Sequence, residues 1–289
     1  MKIAVVLALF FTSPILGQEL RPSEGLPIHR VPDLAYKTQG DAYEMERCRL
    51  DLYLPDLAED FPLLIWLHGG GLTINSKDSL EASEVGVRMA REGIGTAVIN
   101  YRLSPEATFP AYIDDVAAAI QWVYDNARKY QGDRKRLFVG GHSAGAYLAA
   151  MVALDPTYLE SYDLKPRRLT GVIAISGQMD SHQTTKKERN LPAEEKIVDQ
   201  TAPLFFVSEA QKLPPFLILY ADHDMPQRGA INREFVDSLQ AHQYPVMAHE
   251  IKDRDHLSII RNVLQPDDET VRLMKAFILG DEIDSLNAE

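Results

Sequence analysis

Six short runs in this chain are apolar on nearly every residue rather than on alternate ones: "LLIWLHG" (63–69), "TAVINYR" (96–102), "RLFVGGH" (136–142), "GVIAIS" (171–176), "FLILYA" (216–221) and "VMAHEI" (246–251). A strand with one wet face alternates, so runs without alternation belong to strands covered on both sides. Between them lie "DSLEASEVGVRMARE", "YIDDVAAAIQWVYDNARKY", "SAGAYLAAMVAL", "RGAINREFVDSLQAH" and "DDETVRLMKAFILG", whose apolar residues recur at helical spacing. The expected fold class is α/β: a mostly parallel sheet with helices on both faces, placed there by right-handed crossovers. An earlier run, "RLDLYLP" (49–55), alternates and predicts an antiparallel edge strand. The main domain is expected over 46–289, with 18–45 a polar, proline-bearing N-terminal arm lacking defined structure. Residues 178–212, where the pattern weakens, are read as a short cap, because a loop this long in a compact domain tends to cover a site.

Residues 1–17, "MKIAVVLALFFTSPILG", carry one lysine, an apolar run from Ile3 to Phe11, then Pro14 and Gly17. That order predicts a secretory signal peptide and hence a periplasmic or extracellular protein. The run is too short to span a bilayer, so no membrane insertion is expected once it is removed. Net charge is −12, and loss of Lys2 with the leader makes it −13. Such a surface repels nucleic acid and anionic lipid. The one cysteine, Cys48, has no partner for an internal disulfide and is expected to be buried.

In "VGGHSAGAYLAA" (139–150) a strand runs into a helix through one serine, Ser143, flanked two residues away on each side by Gly141 and Gly145. So tight a turn strains the serine backbone and leaves no room for Cβ atoms at the flanking positions. The hydroxyl is thereby lifted above the strand ends, at a helix N-terminus that favours negative charge. The plainer alternative is a serine that only caps the helix. An earlier turn, "LHGGGLT" (67–73), has three consecutive glycines. Their unshielded N–H groups suit an oxyanion, and Gly70, Gly71 and the N–H of Ala144 are the candidate donors.

A serine nucleophile needs a base, and the base a carboxylate to fix its tautomer. His29 lies in the arm, His68 in the glycine run, His142 on the turn, His182 in the cap, and His223 beside the candidate acid. Of the later three, His242 falls in a helix and His249 in a strand, whereas His256 follows a strand in a loop and is the chosen base. For the acid, "LILYADHDMP" offers Asp224, far enough into its loop to reach across. Asp222 and Asp180 are the alternatives.

These motifs, in the order "LHGGGLT", "YRLSPEATFPAYIDD", GHSAG, "PPFLILYADHD" and His256, resemble the α/β-hydrolase carboxylesterases with an HGGG oxyanion motif. That group includes the hormone-sensitive-lipase-like and bifunctional feruloyl/acetyl esterase-like enzymes. The likeness spans about 48–280. It implies a sheet of about eight strands and hydrolysis of small or polymer-linked esters through Ser143, Asp224 and His256, without metal or cofactor. Leu72 stands where an aromatic residue is often found, which bears on acyl-pocket size. The short cap argues against long-chain lipid. Arg102 and Glu106 are read as loop buttresses. Amide or formamide cleavage, or acyl transfer to an alcohol, would use the same three residues. A non-catalytic binding protein on this fold would be expected to lack one of them.

Overall fold

The computed structural model describes residues 25–56, 58–210 and 212–281; the leader expected at 1–17 lies outside them. Eight strands form one sheet: β1 (Ile28–Ala35), β2 (Arg49–Pro55), β3 (Phe61–Leu67), β4 (Gly95–Ile99), β5 (Gly132–His142), β6 (Gly171–Ile175), β7 (Phe216–His223) and β8 (Val246–Asp255). Their order across the sheet is β1-β2-β4-β3-β5-β6-β7-β8. β2 pairs antiparallel with both β1 and β4, and every other pairing is parallel. The helices are α1 (Ala42–Arg47), α2 (Leu80–Arg91), α3 (Ala111–Asn126), α4 (Ala144–Leu154), α5 (Pro156–Glu160), α6 (Gln183–Glu188), α7 (Pro203–Phe206), α8 (Arg228–Ala241), α9 (Ser258–Arg261) and α10 (Glu269–Leu279).

Two apolar cores result, one on each face of the sheet. Residues of α3, α4, α5 and α8 join the first, and those of α2, α9 and α10 the second. α4 is buried at all eleven positions, between the sheet and α3, which accounts for its apolar residues running all the way round. Local signals set the helix limits. Ser79 caps α2 by accepting from the Ala82 amide, Asp268 caps α10 from Val271, and Gly280 closes α10 with φ +79°.

Two sequence expectations are corrected. The arm is not without structure: Ile28–Ala35 is the edge strand β1, whose outward polar side chains and Pro32 hid it. Proline is tolerated there because an edge strand has unpaired amides, and the register breaks between Val31 and Leu34, where Asp33 has φ +57°. β2 is consequently interior, with six of its seven residues buried. Its apparent alternation comes from Asp51, a buried carboxylate that accepts from Arg30 Nε at 2.9 Å and lies 3.0 Å from Lys77 Nζ. Cys48 is fully buried, and burial pushes its thiol up to about 12. Arg102 grips Asp115 through Nε at 2.9 Å and Nη2 at 2.7 Å, a true buttress, whereas Glu106 sits exposed on the surface.

Parallel strands share a direction, so the carboxyl ends of β3, β5, β6, β7 and β8 lie along one rim. The segments that follow them are Gly69–Gly71, Ser143, Ser176, Asp224 and His256. Open α/β sheets gather ligand-handling residues at that rim.

Candidate active site

Ser143 holds φ +56° and ψ −115° between β5 and α4. The surroundings show why its neighbours are glycines. A Cβ on Gly145 would stand 2.1 Å from the Leu67 carbonyl oxygen, and one on Gly141 would stand 2.5 Å from the Gly145 carbonyl carbon. Both contacts are with backbone, which cannot swing aside. The Ser143 amide donates to Ile175 O at 2.8 Å and its carbonyl accepts from Tyr147 N at 3.1 Å, so the turn is pinned to both β6 and α4. Its side chain makes no capping bond to α4. The Ser143 hydroxyl faces His256 Nε2 instead, at 2.9 Å.

His256 Nδ1 lies 2.7 Å from Asp224 Oδ1. Burial works against ionising Asp224, yet bonds from His256, Ser176 and the Met225 amide outweigh it and hold the carboxyl below its ordinary range. An ionised Asp224 accepts, so Nδ1 carries the proton and Nε2 is free to take one from Ser143. The other two aspartates are engaged elsewhere. Asp222 accepts from the Asp253 and Arg254 amides at 3.0 and 3.1 Å, tying the end of β7 to β8, and Asp180 lies 3.8 Å from Lys186 Nζ.

The glycine run rests against this centre: a methyl on Gly69 would come within 3.4 Å of Ser143 Cβ. Gly70 and Gly71 have φ +111° and +62°, a region that disfavours other residues. The carbonyls of both are occupied, Gly70 O by the amides of Thr73 and Ile74, and Gly71 O by the Thr184 hydroxyl from α6. The N–H groups of Gly70, Gly71 and Ala144 donate to no other described residue. Leu72, by contrast, is fully buried in the first core and does not line the cleft.

Three buried histidines surround the site, each with its pKa lowered to about 3, foremost by burial. His68 stacks on Tyr101 at 4.3 Å, and its Nδ1–H donates to Gly69 O at 2.6 Å, which fixes the entry into the glycine run. His142 donates from Nε2 to the His256 carbonyl at 2.7 Å, holding that loop over the elbow. His182 opens α6. The remaining histidines lie away from Ser143: His29 pairs with Asp56, His223 and His242 are exposed, and His249 is within β8.

Above Ser143 is a cleft of about 480 Å³ lined by the glycine run, His142, His256, Gln178 and residues of α6. The expected cap thus folds down on the site rather than away from it. Ile74, Met225 and Leu257 form an exposed apolar rim. Sequence reading missed Ser176 and His142 as supports of Asp224 and His256. The signal for Ser176 was its place at the end of the β6 run; for His142 there was none, because the contact depends on how a distant loop closes.

The BD-FAE family model matches residues 50–228, which contain the glycine run, the elbow and Asp224. The chain belongs to the BD-FAE family. It is an α/β hydrolase of the carboxylesterase type. A kynurenine formamidase from Danio rerio is 27% identical over 241 residues, covering 81% of this chain and 78% of that protein. Esterase LipQ from Mycobacterium tuberculosis is 33% identical over 205 residues, or 64% of this BD-FAE chain. The match spans about half the length of that esterase (48%). Among solved structures, a truncated carbohydrate esterase from gut microbiota superposes with a TM-score of 0.71 at 19% identity, covering 90% of this chain and 98% of that one. At that identity the likeness speaks for the fold.

Proposed function

We propose that this chain is an exported serine carboxylesterase that hydrolyses short-chain, aryl or carbohydrate-linked esters through an acyl-enzyme on Ser143. One observation carries the reading: the relay from Ser143 Oγ to His256 Nε2 at 2.9 Å and from His256 Nδ1 to Asp224 at 2.7 Å, beside three unclaimed N–H groups. His256 takes the hydroxyl proton as Ser143 attacks the ester carbonyl, and Asp224 stabilises the imidazolium that forms. The amides of Gly70, Gly71 and Ala144 receive the oxyanion, where one good donor supplies about 3 to 4 kcal/mol of transition-state stabilisation. His256 then protonates the departing alcohol. Water, activated by the same ring, attacks the acyl-enzyme and releases the acid together with free Ser143.

A cleft of about 480 Å³ with an apolar rim suits a small acyl or aryl group. The carbohydrate-linked part of the range rests on family kinship, and export rests on residues 1–17 alone. A second reading, formamide cleavage, is favoured by the likeness to kynurenine formamidase along most of both chains. The test is kcat/KM for 4-nitrophenyl acetate and butyrate, acetylated xylan and an aryl formamide, with Ser143→Ala in parallel. Ester turnover that disappears in the variant is the expected result. Formamide turnover above ester turnover would select the second reading, and equal rates in both proteins would end the first.

A further inference from the structure

The first residue of α8, Arg228, is a cation that forms no salt bridge among the described residues. Its side chain is packed away, with 8% of the residue exposed. Nη1 is buried without a hydrogen-bond partner, and no carboxylate among the described residues approaches the guanidinium within 4 Å. Lysines and arginines buried to this degree are ordinarily paired, because removing a charge from water is costly unless an anion replaces the lost hydration. The nearest charges, Asp224 and Asp180, are already bound elsewhere: Asp224 to His256 and Ser176, Asp180 to Lys186.

Arg228 also lines the cleft that contains Ser143 and His256, together with an adjoining cavity of about 470 Å³ that shares Gln178, Gln183 and Met225 with it. It is therefore a guanidinium with one nitrogen, Nη1, buried and unpaired at the junction of the reaction cleft and a second compartment. With net charge −12, the chain as a whole repels anions, so any preference for an anionic ligand has to come from a local group such as this one.

We propose that Arg228 is a substrate-specificity residue that binds a carboxylate carried by the ester, making esters with an ionised acidic substituent the preferred substrate class. The proposal rests on Ser143 acting as the nucleophile. A carboxylate completes the pairing that the fold leaves open, and the planar guanidinium can hold it through two parallel bonds.

The experiment compares each of two acids with its own methyl ester at neutral pH. One is 4-nitrophenyl hydrogen glutarate, with the charge on the acyl side; the other is 4-acetoxybenzoic acid, with the charge on the leaving group. The readout is the ratio of kcat/KM for acid over methyl ester in the wild type, Arg228→Gln and Arg228→Lys. In at least one pair the ratio is expected to fall ~10-fold or more in Arg228→Gln and to be partly kept in Arg228→Lys. A shift below about threefold in both pairs overturns the proposal. A positioning role through Asp224 would slow acid and methyl ester alike and leave the ratio in place. A measurement on the unmutated enzyme guards against a misfolded variant: glutarate should inhibit hydrolysis of a carboxylate ester competitively and glutaramide should not, and equal inhibition by the two overturns the proposal. Ser143→Ala separates the two levels, since residual turnover there removes the esterase reading, whereas a silent Ser143→Ala with an unmoved ratio removes only the role of Arg228.

Discussion

Replacing Gly145 by alanine adds one carbon at the tightest point of the elbow. That carbon would lie 2.1 Å from Leu67 O, 2.7 Å from Leu67 C and 2.9 Å from His68 O. Real Cβ atoms essentially never approach within 3.0 Å, so α4 and the end of β3 must separate by roughly 1 Å. Both are anchored, α4 by burial on every side and β3 by pairing to β4 and β5. Overpacking of this kind costs about 1 to 3 kcal/mol, which in a chain of this size lowers Tm by roughly 2 to 5 °C. The same displacement moves Ser143 off its 2.9 Å contact with His256, and misplacement by about 1 Å lowers turnover ~100-fold. Gly71→Ala is the contrast, since its added carbon meets only Thr73 Oγ1 at 3.8 Å and costs about 1 to 2 kcal/mol for the positive φ. Thermal melts and kcat for 4-nitrophenyl butyrate would measure both effects. A Gly145→Ala protein with wild-type Tm and kcat would refute the steric account of the elbow.

Asp224→Asn should lower kcat about 10⁴-fold by allowing the wrong His256 tautomer, whereas Asp222→Asn should cost less than about tenfold, because Asp222 serves the backbone of β8. A larger loss in Asp222→Asn would reassign the acid. Acid should destabilise the fold well above the carboxylate range. His68, His142 and His182 stay neutral in the folded chain down to about pH 3, while in the unfolded chain they protonate near 6.5, so stability is lost as pH falls from about 6.5 toward 3. At pH 5 the loss is about 2 kcal/mol for each, about 6 kcal/mol together. Urea unfolding at pH 7.5 and 5 measures it, and equal unfolding free energies at the two pH values would contradict it.

What could be read from the sequence was what is dictated locally. Three glycines after a strand, and glycines on both sides of Ser143, answer to backbone contacts within a few residues or across one strand pair, so their pattern survives in the linear chain. That Ser143, Asp224 and His256 share one rim was legible in strand order, because each comes after a parallel strand and parallel strands end together, whereas choosing Asp224 over Asp222 and Asp180 rested on the reach of its loop. β1 escaped because an edge strand carries polar residues and proline, and β2 was set at the edge because a buried aspartate mimics a wet face. Ser176, His142 and Arg228 matter through the closure of segments about 50 to 115 residues apart, which no local pattern records.

The proposed chemistry stands on Ser143 as the attacking group. The most direct measurement is to treat the active protein with an organophosphate and locate the adduct by tandem mass spectrometry while following ester hydrolysis. A single phosphoryl group on Ser143 is expected, appearing in step with loss of activity and absent from His256→Ala. Full inactivation with the adduct on another residue, or undiminished activity with Ser143 fully modified, would contradict it.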